Sequence, residues 1–95
     1  MSDKTDDLLQ ILIHVTGRVA IPTDELRQLV AAGRDAGRQV AAYNLCDGRH
    51  TQGDITKALK LDSGNFSRTV KRWQNSGIVF RVGDEEQLLH VYPLT

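Results

Sequence analysis

The stretch Thr51-Gln52-Gly53-Asp54-Ile55-Thr56-Lys57-Ala58-Leu59-Lys60-Leu61-Asp62-Ser63-Gly64-Asn65-Phe66-Ser67-Arg68-Thr69-Val70-Lys71-Arg72-Trp73-Gln74-Asn75-Ser76-Gly77 reads as two short helices joined by a tight polar link. Thr51 stands three residues before Asp54, the spacing of a capping box with Asp in the usual Glu position, so a helix opens there. It turns Ile55, Ala58 and Leu59 inward and Lys57 and Lys60 outward. Leu61 follows, and Asp62 or Ser63 is the N-cap of the next helix. In that second helix, expected over about 63–76, Phe66, Val70 and Trp73 fall on one stripe at i, i+4 and i+7. The opposite face carries Gly64, Arg68, Lys71, Arg72 and Asn75, with Asn65 and Ser67 on its flanks. Ser76-Gly77 ends it, the glycine supplying a left-handed cap.

Charge singles out the same block. The chain as a whole has zero formal charge. Met1 to Ala32 holds Lys4, Arg18 and Arg27 against Asp3, Asp6, Asp7, Asp24 and Glu25, and Gly33 to Gly48 balances. Arg49 to Arg72 holds Arg49, Lys57, Lys60, Arg68, Lys71 and Arg72 against only Asp54 and Asp62. From Trp73 onward, Arg81 faces Asp84, Glu85 and Glu86. A positive centre between acidic ends is the footprint expected of a nucleic-acid partner.

Working outward toward the N-terminus, Ala36 to Cys46 is apolar nearly all round (Val40, Ala41, Ala42, Tyr43, Leu45, Cys46), as in a helix buried between others, and stops at Asp47-Gly48. Upstream, Thr23 is the expected N-cap of a helix with Asp24 and Glu25 in its first turn, running through Leu26, Leu29 and Val30 to Gly33. Leu8, Ile11, Leu12 and Val15 share one helical face, with Leu9 and Ile13 beside it, although Ile11 to Val15 also admits a strand reading. Gly17 is expected to end that element, and Met1 to Thr5 to be frayed. Toward the C-terminus, Ile78, Phe80 and Val82 alternate with Val79 and Arg81. Gly83-Asp84-Glu85-Glu86 makes a turn, and Leu88 to Leu94 returns as a second strand.

At 95 residues and 40 % hydrophobic composition, one globular domain is expected. The longest apolar run, Leu8 to Val15, is too short to span a bilayer. The aspartates near Met1 have the wrong sign for a signal or transit peptide. Cys46 is the single cysteine and has no intramolecular disulfide partner, so a reducing, cytoplasmic setting is expected. His14, His50 and His90 are scattered, and no metal-ligand spacing, paired catalytic carboxylates or glycine-rich phosphate loop occurs. Neither enzymatic activity, a cofactor nor a metal is expected. The lone Cys46 thiol is read as a core side chain.

Three helices followed by a two-stranded hairpin is the order of a winged helix-turn-helix. Gly53 to Leu61 resembles the second helix of ArsR-like and MarR-like bacterial transcriptional regulators. Phe66 to Trp73, continuing through Gly77-Ile78-Val79, resembles their recognition helix and the glycine that turns into the wing, and Val91-Tyr92-Pro93-Leu94-Thr95 is similar to their last wing strand. The resemblance covers about Ala36 to Thr95. It implies a mainly helical α+β fold, with residues 1–35 as an N-terminal helical extension and residues 36–95 as the winged helix-turn-helix domain. It also implies double-stranded DNA as the partner.

Recognition helices meet base edges with their N-terminal residues. Asn65, Ser67 and Arg68 carry suitable donors and acceptors: arginine for guanine, asparagine for adenine, serine for either. Ser63 and Gly64 lie at the helix start, where glycine lets the backbone approach closely. Lys71, Arg72 and Arg81 suit phosphates, and Thr51 and Gln52 open the preceding helix, where N–H groups and hydroxyls hold a phosphate. Leu8, Leu9, Ile11, Leu12 and Val15 offer more apolar surface than one small core uses, so a homodimer through this segment is expected. The acidic tip Asp84-Glu85-Glu86 departs from the basic wings of DNA-binding members. It keeps open a second reading, an adaptor that binds protein and not DNA.

Overall fold

The computed structural model describes residues 3–31 and 35–94. Among them the chain forms α1 (Asp3–Ala20), α2 (Thr23–Val30), α3 (Ala36–Asn44), α4 (Gln52–Leu59), α5 (Ser63–Asn75), β1 (Val79–Val82) and β2 (Gln87–His90). The result is a small, mainly helical α+β fold with one two-stranded antiparallel sheet. No helix among the described residues is long and apolar enough to cross a membrane.

Local chemistry fixes most of the boundaries. Thr51 Oγ1 accepts from the Asp54 N–H at 3.1 Å while the Asp54 carboxylate accepts from the Thr51 N–H at 3.0 Å, a complete capping box at α4. Asp62 is the N-cap of α5, accepting from the Asn65 N–H at 2.8 Å. The far end of α5 is a Schellman closure. Gly77 has φ +75°, its N–H reaches Gln74 O at 3.0 Å, and the Ile78 N–H reaches Trp73 O at 3.1 Å. Two helix ends are closed from a distance by arginines. Arg38 of α3 donates to Leu59 O at 2.7 Å and Lys60 O at 3.1 Å, where Lys60 takes a left-handed φ of +53°. Arg72 of α5 reaches Val30 O at the end of α2, at 3.3 Å.

Several boundaries differ from expectation. The N-cap of α2 is Pro22, φ −61° and ψ 150°, so Thr23 is already helical and makes no cap bond. The ring of Pro22 sets the entry angle one residue early. Gly17 does not end α1. A Cβ at Gly17 would meet Val91 Cβ at 3.0 Å and Val91 O at 3.2 Å, so the glycine marks the closest approach of α1 to the segment after β2. Helix α1 begins at Asp3, inside the start expected to fray. The Gly33 stop lies outside the described residues, as does Thr95.

The core joins Leu26 and Val30 of α2 to Tyr43, Cys46, Ile55, Phe66, Val70, Trp73, Ile78, Val79, Leu88, Tyr92 and Leu94. The second helix therefore shares one core with the chain beyond residue 36. Trp73 is the hub, edge-on to Tyr43 at 5.6 Å and to Phe66 at 6.0 Å between ring centroids. The sheet pairs Val79 with His90 and Val82 with Gln87. Cys46–His50 borders the other edge of β2 through Gly48 N–H to Leu88 O at 2.8 Å, Leu88 N–H to His50 O at 2.9 Å and His90 N–H to Cys46 O at 2.7 Å. Both faces of β2 are buried, Leu88 in the core and Leu89 on the side toward α1, whereas Phe80 on β1 is exposed and Ile78 and Val79 are both buried. The alternation expected for this strand fails: Ile78, whose N–H closes α5 and whose C=O accepts from the Val91 N–H at 2.9 Å, is buried in the core together with Val79. Beyond Val91, whose N–H makes that bond, the chain is held by side chains: Tyr43 Oη donates to Tyr92 O at 2.7 Å, and Asn44 bonds both the N–H and the C=O of Leu94.

Candidate nucleic-acid interface

Helix α5 carries no acidic residue, and Arg68, Lys71 and Arg72 project from it. Its stripe of Phe66, Val70 and Trp73 is buried, and Ser63, Gly64, Asn65, Ser67, Arg68, Lys71, Arg72 and Asn75 are all exposed. A Cβ at Gly64 would make only an ordinary contact, 3.4 Å from Asp62 Oδ1, so packing does not demand glycine there. Beside the N-terminal turns of α5, Ala42, Phe66 and Trp73 contribute to a cleft of about 230 Å³ toward α3.

The expected site residues are not equally available. Arg68 donates to Asn65 Oδ1, which aligns the two side chains and leaves the Asn65 NH₂ to donate. No hydrogen bond or ion pair among the described residues engages Ser67 or Lys71. Arg72, expected at phosphates, spends part of its guanidinium on Val30 O and on Gln39 Oε1 at 3.5 Å. Gln52 and Arg81, from α4 and β1, meet directly: Arg81 donates to Gln52 Oε1 at 2.9 Å. Thr51 is committed to the capping box, whose backbone N–H bond holds the Asp54 carboxyl below its usual range. The Thr51 hydroxyl proton remains able to donate outward. The expected residues thus fall into two groups, Gln52 with Arg81 and Asn65 with Arg68, and Arg38, which no sequence signal marked, braces the turn between α4 and α5.

The hairpin tip is Gly83-Asp84-Glu85-Glu86, fully on the surface, with Gly83 at φ +75° and Glu86 at φ +56°. On α1, the five residues expected at a dimer contact, Leu8, Leu9, Ile11, Leu12 and Val15, are between 48 and 64 % exposed, and Val19, which sequence reasoning left out, is 84 % exposed. Among the described residues no three His, Cys, Asp or Glu side chains gather as a metal site. Burial pushes the Cys46 thiol up to about 12, its Sγ lying 3.5 Å from Ala42 O. Comparison with protein-family models, with curated proteins and with solved structures finds no match to this chain.

Proposed function

We propose that the chain is a cytoplasmic transcriptional regulator that binds double-stranded DNA as a winged helix-turn-helix, with α5 in the major groove and β1–β2 as the wing. The observation that carries this reading is the unopposed polar and basic face of α5, on which Arg68 and Lys71 lie opposite the buried Phe66, Val70 and Trp73, with exposed Asn65 and Ser67 on its flanks. Asn65 and Arg68 near the helix start supply base-directed donors, and Lys71 supplies a phosphate contact. Arg81 and Gln52 extend the surface toward the wing. The apolar stripe of α1 is where a second copy joins, a two-fold arrangement that suits symmetric half-sites. A buried, unpaired thiol at Cys46 accords with a reducing compartment.

The measurement is duplex affinity at several salt concentrations, for random and operator-enriched sequences. Binding that weakens as salt rises, with a slope set by the number of phosphates neutralised, supports the reading. Absence of binding at low salt by the folded protein removes it.

One observation favours a second reading: Asp84, Glu85 and Glu86 crowd the exposed tip of the hairpin, where phosphates would repel them. In that reading the hairpin contacts a protein and the chain is an adaptor. Glu85→Lys combined with Glu86→Lys separates the two. A tip beside the DNA backbone gains affinity and a steeper salt slope, and a tip turned away changes neither.

A further inference from the structure

We propose that His14 and His90 form a proton-sensitive latch, which fastens α1 to the sheet at neutral pH and lets it go as the pair takes up protons. Among the described residues, helix α1 meets the rest of the molecule through a small set of side chains. Gly17 lies against Val91, the Arg18 guanidinium sits 4.9 Å from the Tyr92 ring centroid, and Tyr92 Oη donates to Ile21 O at 2.6 Å just past the helix. Gln10 lies over Gly48, with Leu9 and Ile13 beside it on a cleft toward Val82, Gln87 and Leu89. The one ring-to-ring contact of α1 among the described residues is that of His14, whose centroid lies 5.4 Å from that of His90. With so little surface holding α1, one buried pair weighs heavily on whether it stays docked.

The pair is placed where charge is unwelcome. His90 is 4 % exposed and stacks on its other side near Tyr43, at 5.2 Å between centroids. Its Nδ1 lies 3.0 Å from Tyr43 O, so that nitrogen carries the hydrogen and a further proton must enter at Nε2. His14 Nε2 is buried and has no hydrogen-bond partner among the described residues. The groups that face the pair are Arg18 on the same helix, Tyr43 and the neutral Cys46 thiol from α3 and its end, Tyr92, and Asp47. Asp47 is the one carboxylate among these, and it is already bonded to His50 Nδ1 at 2.9 Å and to the Arg49 N–H at 2.9 Å. Two imidazolium rings at this spacing, with Arg18 adjacent, would lack a counter-charge of their own.

Burial is the main reason both rings hold protons less tightly than an exposed histidine. The carbonyls of His90 and Tyr43 and, for His90, the Asp47 charge offset it in part, and Arg18 and the neighbouring ring add to it. The sign follows from linkage. Above about pH 6.5 both rings are neutral whether α1 is docked or free, and the latch is fully closed. Below that value the free state takes up protons first, so docking weakens until the pH reaches the lowered values of the docked state. The limit is about tenfold per pH unit for each histidine.

The test uses the whole chain. Ring resonances of His14 and His90 are followed by NMR against pH, and amide hydrogen exchange, corrected for its intrinsic pH dependence, is compared at neutral and mildly acid pH. Both rings are expected to titrate below the free value. Protection of α1 should fall on the order of tenfold across about one pH unit below 6.5, with α5 unchanged. His14→Phe keeps an aromatic ring and cannot be protonated, so it should flatten the pH response of α1. Should that variant fail to fold, the wild-type titration and exchange decide alone. Either ring titrating at or above the free value overturns the latch, as do α1 amides equally protected at both pH values or unprotected at neutral pH, or an undiminished response in folded His14→Phe. The inference concerns docking within one chain. A pH response that varies with protein concentration assigns the effect to assembly and also overturns it.

Discussion

Arg72 is exposed on the same helix face as Lys71, yet its guanidinium reaches back to Val30 O and Gln39 Oε1. The two residues look alike in the sequence and should behave differently when removed. Lys71→Ala should weaken binding to all duplexes alike and shallow the salt slope by about one counterion, with folding untouched. Arg72→Ala should also lower stability, by about 1 kcal/mol, because the last carbonyl of α2 loses its distant partner. Arg68→Ala should cost about 1–3 kcal/mol at one base position and relax preference there. Because Arg68 donates to Asn65 Oδ1, its loss and that of Asn65 should not be additive. Duplex affinity across salt, with denaturant unfolding beside it, reads all four changes. Three folded variants that bind DNA as the parent does would remove α5 from the interface.

At the scale of elements, what the sequence revealed was what neighbours in the chain decide. The capping box at Thr51, the Phe66-Val70-Trp73 stripe, the cap of α5 at Asp62 or Ser63, which the structure gives to Asp62, and the left-handed Gly77 each depend on residues within a turn or two. The misses depend on distant partners. Nothing local distinguishes a glycine that ends a helix from Gly17, which admits Val91, and the burial of Val79 beside Ile78 depends on core residues far away in the chain. The arginines that close other helices, Arg38 and Arg72, and the meeting of His14 with His90 are likewise contacts across long stretches of chain. The acidic turn, the exposed apolar stripe on α1 and the outward face of α5 were legible, because exposure opposite a buried stripe is periodic. Gly17→Val tests the close approach. The added atoms should overpack the contact with Val91 and lower stability by about 1–3 kcal/mol, although valine favours a helix more than glycine does. Stability equal to or above that of the parent in denaturant unfolding would mean that α1 does not rest on Val91.

At the scale of the whole molecule, Leu12 and Val15 are exposed by 61 and 56 %, so their side chains contribute little to the fold of a single copy. Leu12→Lys combined with Val15→Lys should therefore leave the unfolding midpoint of a monomer nearly unchanged and abolish self-association in light scattering, since two like charges would face two more across a two-fold axis. A double variant that still dimerises places the contact elsewhere. The hub of the core has an optical consequence. Trp73 is the single tryptophan, it is fully buried, and no group among the described residues accepts from its Nε1. An indole shielded in this way fluoresces toward the blue end of its range and moves to the red once water reaches it. With Tyr43 and Phe66 set edge-on around it, the same ring should give a strong near-ultraviolet dichroism band. The protein thus carries an intrinsic reporter at the centre of its packing, silent to the loosening of α1 and responsive when the shared core itself comes apart.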